Sequence, residues 1–284
     1  MDRLNLIDTD KGNISYEVQC FPDGQRNIKV VGYHKSRNIN MTFGVTVKKV
    51  MIVSRMNSFL DVELILCATA SLRACGYEEV SLFVPYFLGA RSDRAFEYGT
   101  NNYLKTVICP IINLQNYKRV IVLDPHSYCL EMGLDKMKAI MPNYHLTKAI
   151  EECSHGFYVV SPDAGAQQRV DKHCRALGLG NEVLVCSKKR VDGKIINTNV
   201  PVENIDGKDC VIIDDICSKG GTFIGIAKAL KEKGANKIML VVSHYEGTAN
   251  EQDLINAGIT KVFTTNSISD VASDFVFKID ISEI

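Results

Sequence analysis

The sequence lacks an excess of charge of either sign, an apolar run of membrane length and closely paired cysteines, and each absence removes a class of function. Lys and Arg together number 33 and Asp and Glu together 33 among 284 residues, a formal net charge of zero. Nothing global therefore draws the chain to nucleic acid or to an anionic membrane surface, and any anion site must be local. No uninterrupted apolar stretch approaches the ~18 residues needed to span a bilayer, and the start, Met1-Asp2-Arg3-Leu4-Asn5, has no apolar leader region. The expectation is a cytoplasmic protein with no nucleic-acid or membrane partner. Ten cysteines fall at 20, 67, 75, 109, 129, 153, 174, 186, 210 and 217, with no Cys-x-x-Cys pair. Several lie inside apolar runs such as Glu63-Leu64-Ile65-Leu66-Cys67 and Val183-Leu184-Val185-Cys186. Free cysteine packs there as a small hydrophobe, so reduced core thiols are expected rather than zinc ligands or disulfides.

What is present is an ordinary globular composition, 46% hydrophobic and 23% charged, in a length that suits one or two domains of ~100–200 residues. Short Val/Ile-rich runs alternate with longer segments of helical spacing, the pattern of βαβ units and a mostly parallel sheet. Strands are expected over 27–33, 46–53, 79–85, 118–124, 156–161, 182–187, 209–215, 237–243 and 261–265. Helices are expected over 59–75, 101–115, 165–177, 220–233 and 249–257. Gly76, Gly178, Gly234 and Gly258 stand just past four of those helix ends, as stops. The alternation is interrupted at Met141-Pro142-Asn143-Tyr144-His145, which divides the chain into two similar α/β blocks, 1–140 and 141–284.

The most informative stretch is Val211-Ile212-Ile213-Asp214-Asp215-Ile216-Cys217-Ser218-Lys219-Gly220-Gly221-Thr222, followed by an amphipathic helix. An apolar strand delivers two acids to its carboxyl end, the edge at which open parallel sheets bind ligands. Carboxylates there can accept hydrogen bonds from paired sugar hydroxyls, while a Gly-rich turn that opens a helix presents backbone N–H groups to a phosphate, with the Thr222 hydroxyl beside them. Solvated acids on a plain strand would account for the Asp-Asp pair alone. The glycines and the helix that follows favour a sugar-phosphate site.

This segment resembles the phosphoribosyl-diphosphate-binding motif of the type I phosphoribosyltransferase superfamily, whose members either consume that compound or make it. Further stretches resemble the makers, the ribose-phosphate diphosphokinases, in the order that family has them. They are Phe21-Pro22-Asp23-Gly24-Gln25, Pro85-Tyr86-Phe87-Leu88-Gly89-Ala90-Arg91-Ser92-Asp93-Arg94, Leu123-Asp124-Pro125-His126 and Val160-Ser161-Pro162-Asp163-Ala164-Gly165. Lys188-Lys189-Arg190 stands where the family carries its catalytic loop, and His244 and Thr265-Asn266-Ser267-Ile268 continue the match, which runs from about residue 18 to 270.

The resemblance implies an α/β fold of two tandem phosphoribosyltransferase-like domains with mostly parallel sheets, the first carrying ATP-site elements and the second the sugar-phosphate loop. It implies that Phe21, Asp23, Gln25, Arg91, Ser92 and Asp93 hold ATP, the co-substrate. Phe21 offers a face for adenine and Arg91 a guanidinium plane. His126 and Asp163 are implied to serve Mg²⁺, with His126, Lys188 and Arg190 acting in catalysis. Asp214, Asp215, Ser218, Lys219, Gly220, Gly221 and Thr222 are implied to bind the sugar phosphate. In the family the Phe21 loop reaches a neighbouring subunit's ATP, so a homo-oligomer with a shared site is implied as well.

The implied reaction moves the β,γ-diphosphoryl group of Mg-ATP to the anomeric hydroxyl of ribose 5-phosphate, as such chemistry rests on positioning and charge neutralisation. The Val191-Asp192-Gly193-Lys194 turn beyond Arg190 is expected to form a mobile flap. Three elements depart from the family pattern. Ser218-Lys219-Gly220-Gly221-Thr222 replaces Asp-Thr-x-Gly-Thr, Ser92 replaces Gln and Gln25 replaces Glu. A lost acid and a gained cation suit an ordinary 5-phosphate or a longer anionic group. The alternative acceptor is therefore ADP-ribose, used by relatives in phage nucleotide salvage, giving ADP-ribose pyrophosphate for NAD salvage. A non-catalytic regulatory subunit and a plain phosphoribosyltransferase are the remaining alternatives.

Overall fold

The computed structural model describes residues 1–33, 47–154, 156–180, 182–191, 194–270 and 272–281, with 189–191 and 194–197 described as backbone. They fall into two compact units, Met1–Ile140 and Met141–Ile284.

The first unit contains β1 (Asp2–Asn5), β2 (Ile14–Cys20), β3 (Arg26–Tyr33), β4 (Lys49–Val53), α1 (Phe59–Ala74), β5 (Glu79–Val84), α2 (Cys109–Asn113), β6 (Val120–Leu123), α3 (Tyr128–Gly133) and β7 (Met137–Ile140). Its sheet has the order β1-β4-β5-β6-β7, every pairing parallel. One apolar core joins the strand residues Leu4, Ile52, Leu82 and Val122 to Val62, Ile65 and Leu72 of α1. The antiparallel pair β2–β3 is tied to α1 by side chains. Arg26 donates from Nε to Glu63 Oε2 at 3.0 Å, and the Ser71 hydroxyl donates to the Ile28 carbonyl at 2.6 Å.

The second unit contains α4 (Tyr144–Glu151), β8 (Phe157–Ser161), α5 (Ala164–Ala176), β9 (Val183–Val185), β10 (Ser187–Val191), β11 (Lys194–Asn199), β12 (Asp209–Cys217), α6 (Gly221–Glu232), β13 (Ile238–Tyr245), α7 (Glu251–Asn256), β14 (Lys261–Thr265) and β15 (Val276–Ile279). Its six-stranded sheet is again wholly parallel, in the order β15-β14-β13-β12-β8-β9. A parallel sheet is covered on both faces, so its strands read as continuous apolar runs, and all eight residues of β13 are buried. β12 alternates between two cores. Cys210 and Ile212 pack with Phe223, Ile226 and Leu230 of α6, whereas Val211 and Ile213 pack with Leu146 of α4 and Val170 and Cys174 of α5.

The four helix-stop glycines all adopt positive φ, between 64° and 100°. At the end of α1, Gly76 N donates to Arg73 O at 2.9 Å and Tyr77 N to Leu72 O at 3.1 Å. The ends of α5, α6 and α7 repeat that pair of bonds, which satisfies the last carbonyls of each helix. The helix expected over 101–115 is instead a single π-helical turn, Leu104–Ile108, followed by the short α2. Pro110 has no N–H to continue the ladder and its ring crowds the preceding turn. The strand expected over 182–187 ends at Val185, and the chain turns at buried Cys186 into β10, which pairs antiparallel with β11. That hairpin occupies the place of the expected flap, whose Asp192-Gly193 tip lies outside the described residues, as does Thr46 at the start of the strand expected over 46–53.

At Gly76, φ is +83° and an added Cβ would meet nothing nearer than Lys48 Nζ at 3.8 Å, so substitution costs backbone strain alone. Gly76→Ala is expected to lose ~1 kcal/mol, lowering the melting temperature by ~2–4 °C. An unchanged thermal melt would contradict this account of the helix ends.

Candidate active site

In the second unit the chain runs outward from β8 to β9 and then returns to place β12 on the other side of β8. Such a reversal of strand order opens a crevice at the carboxyl ends of the two strands, because the connections leave to opposite faces. Asp163 follows β8 by two residues, and Asp214 and Asp215 lie near the end of β12. These acids therefore come to one edge for a topological reason. Among the described residues, the sheet of the first unit shows no reversal.

Asp163 caps α5, accepting from Ala166 N at 3.0 Å on Oδ1, while Oδ2 accepts from Lys188 Nζ of β10 at 2.6 Å. Burial pushes this carboxyl up, but the Lys188 ammonium and the helix N–H groups outweigh burial and hold it below the usual carboxylate range. Lys188 and Asp163, expected in different roles, thus neutralise each other here. Arg190 lies on the same strand, its backbone in register with Ile195 after a bulge between Lys189 and Arg190.

Asp214 and Asp215 are answered by Arg169 of α5, whose Nη1 lies 3.6 Å from Asp214 Oδ1 and 3.4 Å from Asp215 Oδ1. Asp214 Oδ1 also accepts from Asp215 N at 2.9 Å. Burial, and then the neighbouring Asp215 charge, push the Asp214 carboxyl well above its usual range despite Arg169. Beyond the pair, Gly220 occupies the N-cap position of α6 with φ +76°, and an added Cβ would lie 3.0 Å from Leu254 Cδ2 and 3.2 Å from Ala249 Cβ. Only glycine meets both demands. No side chain caps α6 and no acid occupies its first turn, so its leading N–H groups and positive dipole end remain for an anion. Ser218 and Thr222 are half-buried, Lys219 and Gly221 are exposed, and a Cβ on Gly221 would meet no atom within 4 Å.

His244 is buried, its Nδ1 2.8 Å from Ser267 Oγ. The Thr265 and Ser267 hydroxyls donate to the Ser243 carbonyl at 2.7 and 3.3 Å. This group braces the ends of β13 and β14 beneath the edge.

In the first unit, Arg91, Ser92 and Asp93 follow β5, and His126 follows β6, the neighbouring parallel strand. Ser92 is fixed by its backbone, donating to Gly89 O at 2.8 Å and accepting from Leu104 N at 3.1 Å, while Asn102 Nδ2 donates to Asp93 O at 2.6 Å. His126 is exposed, between buried Asp124, which has φ +37°, and Ser127, which precedes α3. Phe21, Asp23 and Gln25 lie instead at the exposed tip of the β2–β3 hairpin. Phe21 N donates to Gln25 O at 2.8 Å, and Asp23 Oδ1 accepts from Gln25 N at 3.1 Å.

Among the described residues no three His, Cys, Asp or Glu side chains are grouped as a metal cage. Asp163 offers a hard carboxylate oxygen of the kind Mg²⁺ takes beside the ligands it draws from phosphates and water.

The raised Asp214 pKa has a consequence for stability. Its proton is held more tightly in the folded than in the unfolded chain, so its contribution is fully present below pH ~3.8 and is lost as pH rises through the folded value. Asp214→Asn is expected to raise the melting temperature of the ligand-free protein at pH 7–8 by ~2–4 °C, the equivalent of about 1 kcal/mol. The gain should shrink toward pH 4. A lower melting temperature at neutral pH, or a gain independent of pH, would contradict the assignment.

The sequence matches the family model of the phosphoribosyl transferase domain over residues 135–278. The ribose-phosphate pyrophosphokinase of Sulfurisphaera tokodaii is 28% identical over 262 residues, covering 90% of this chain and 85% of that protein. That of Sulfolobus acidocaldarius is 27% identical over 272 residues, covering 95% and 90%. The fold superposes on the crystal structure of phosphoribosylpyrophosphate synthetase from Mycobacterium smegmatis with a TM-score of 0.74, at 20% identity, over 95% of this chain and 87% of that one. With half of its length matched by that family model, and with ribose-phosphate pyrophosphokinases among its relatives, the chain belongs to the phosphoribosyl transferase domain family.

Proposed function

We propose that the chain is a ribose-phosphate diphosphokinase, transferring the β,γ-diphosphoryl group of ATP to ribose 5-phosphate to give phosphoribosyl diphosphate and AMP. The observation that carries this reading is the β8/β12 reversal of strand order, where two adjacent carboxyls stand beside a Gly-opened helix start that no side chain caps. Asp214 and Asp215 accept hydrogen bonds from the ribose 2- and 3-hydroxyls. The N–H groups at the start of α6, with Ser218, Lys219 and Thr222, hold the 5-phosphate.

The anomeric oxygen attacks the β-phosphorus in line, the bond from that phosphorus to the α,β-bridging oxygen breaks, AMP departs and the hydroxyl proton is released. Lys188 and Arg190 neutralise the charge that develops on the transferred group. Phe21, Asp23, Gln25, Arg91, Ser92 and Asp93 serve the adenine nucleotide. The exposed Phe21 tip suits a neighbouring copy's nucleotide in a homo-oligomer. His126 in the first unit and Asp163 in the second are each candidates to serve Mg²⁺, which when bound would screen the phosphates and polarise the β-phosphorus.

The open space at Gly221 and the exposure of Lys219 support a second reading, in which the acceptor is ADP-ribose and the added phosphate extends past the loop. Purified protein incubated with Mg-ATP and either ribose 5-phosphate or ADP-ribose separates the readings by AMP release and by the mass of the sugar product. Diphosphate gain on ribose 5-phosphate is expected. Preferential gain on ADP-ribose would move the specificity, and no AMP with either acceptor would overturn both readings in favour of a transferase or a regulatory subunit.

Lys188→Ala is expected to lower kcat by ~10²-fold, the scale of losing one positioned charge from a transfer site. The melting temperature should change little, because the Lys188–Asp163 pair is partly exposed, at 21% and 35%. Turnover equal to wild type would remove Lys188 from the mechanism.

A further inference from the structure

Arg169 belongs to the buried stripe of α5. Ala166, Val170, His173 and Cys174 of that stripe are all buried, and the Arg169 side chain is only 13% exposed. A charge on a core stripe is costly unless it is answered, and Asp214 and Asp215 answer it from the end of β12.

The answer runs in both directions. Two adjacent carboxylates at a buried strand end repel, and without a cation one of them takes up a proton. A guanidinium stays charged at any relevant pH, so it favours the ionised form of both acids and opposes their repulsion. Its distances of 3.6 and 3.4 Å exceed the ~2.7–2.9 Å of charged hydrogen bonds, so the tie is ionic rather than a bidentate fork. We propose that Arg169 is a positioning residue for the sugar, fixing the Asp214 and Asp215 carboxyls as one acceptor for paired ribose hydroxyls.

The role rests on the diphosphokinase reading for the identity of the sugar. Other charged or titratable groups stand around the pair. Cys217 closes the same strand, and Lys219 lies in the following loop. β13 brings His244 into register with Ile216, its ring at Ser267, and β8 leads to Asp163, paired with Lys188. Arg169 lies in ionic range of both acids, so it bears directly on the charge balance of the pair.

The test compares Arg169→Met with Arg169→Lys at saturating Mg-ATP. Arg169→Met is expected to raise KM for ribose 5-phosphate about tenfold at pH 7, the effect of one pKa unit of lost ionisation. kcat should stay within about threefold. Its KM should fall again toward pH 8.5 as the second carboxylate ionises, whereas that of the wild type changes little. Arg169→Lys keeps a charge in ionic range and should restore most of the affinity. A wild-type KM in Arg169→Met, a KM raised equally at every pH, or Arg169→Lys as impaired as Arg169→Met would overturn the proposal.

If Arg169→Met fails to fold, the double variant Arg169→Met with Asp214→Asn removes the repulsion. It should fold, with a raised KM that no longer varies with pH; retention of the pH dependence would count against the role. ¹³C NMR of the aspartate carboxyls in the ligand-free protein separates this proposal from the functional reading. If the wild type turns over no acceptor, that reading fails by itself. A titration midpoint for the pair that rises on loss of Arg169 still supports the role, and an unchanged midpoint overturns it.

Discussion

Three carboxylates share one edge of a parallel sheet, and their charge governs what is built around them. Asp163, Asp214 and Asp215 reach that edge because the strand order reverses between β8 and β12. The helix between those strands in sequence answers them from two positions. At its start Asp163 caps α5 and is neutralised by Lys188, and two turns later Arg169 neutralises the pair on β12. Three acids against two bases leave an excess of carboxyls, and Asp214 responds by holding its proton more tightly. This stored repulsion costs stability in the free protein and leaves hydrogen-bond acceptors at the edge, a trade common at functional sites.

Charge of the opposite sign lies just past those acids. The start of α6 offers N–H groups at a positive dipole end, with Lys219 exposed beside it. A ligand with paired hydroxyls at one end and a phosphate at the other matches that sequence of acceptors and donors along a single strand-turn-helix. Gly220 makes the turn possible, since its positive φ and the close approach of Leu254 and Ala249 both refuse a side chain.

Much of this was legible in the sequence. β12 and β13 are continuous apolar runs because both faces of their sheet are covered, and each of the four helix-stop glycines ends its helix in a left-handed turn. The Asp-Asp and glycine pattern marked the end of β12 and the opening of α6, where local order that a sequence preserves brings two carboxyls beside an uncapped helix start. Other parts were hidden. The short strands β1, β7 and β15 carry polar residues such as Asp2, Arg3 and Lys278 and give weak alternation. The π-helical turn before α2 follows from Pro110 acting on a pattern that otherwise reads as one helix. Arg169 sits in Gln167-Gln168-Arg169, a run that looks solvated. Its signal was the period: it lies three residues after Ala166 and four before His173, on the buried stripe. The contact with β12 that explains it is a tertiary fact.

The central claim is that the β8/β12 edge receives a phosphorylated ribose, and a crystal structure of the protein grown with ribose 5-phosphate tests it most directly. The account predicts the ribose hydroxyls against Asp214 and Asp215, and the phosphate on the N–H groups at the start of α6. Ribose 5-phosphate bound elsewhere on the chain, with the β8/β12 edge empty, would contradict it.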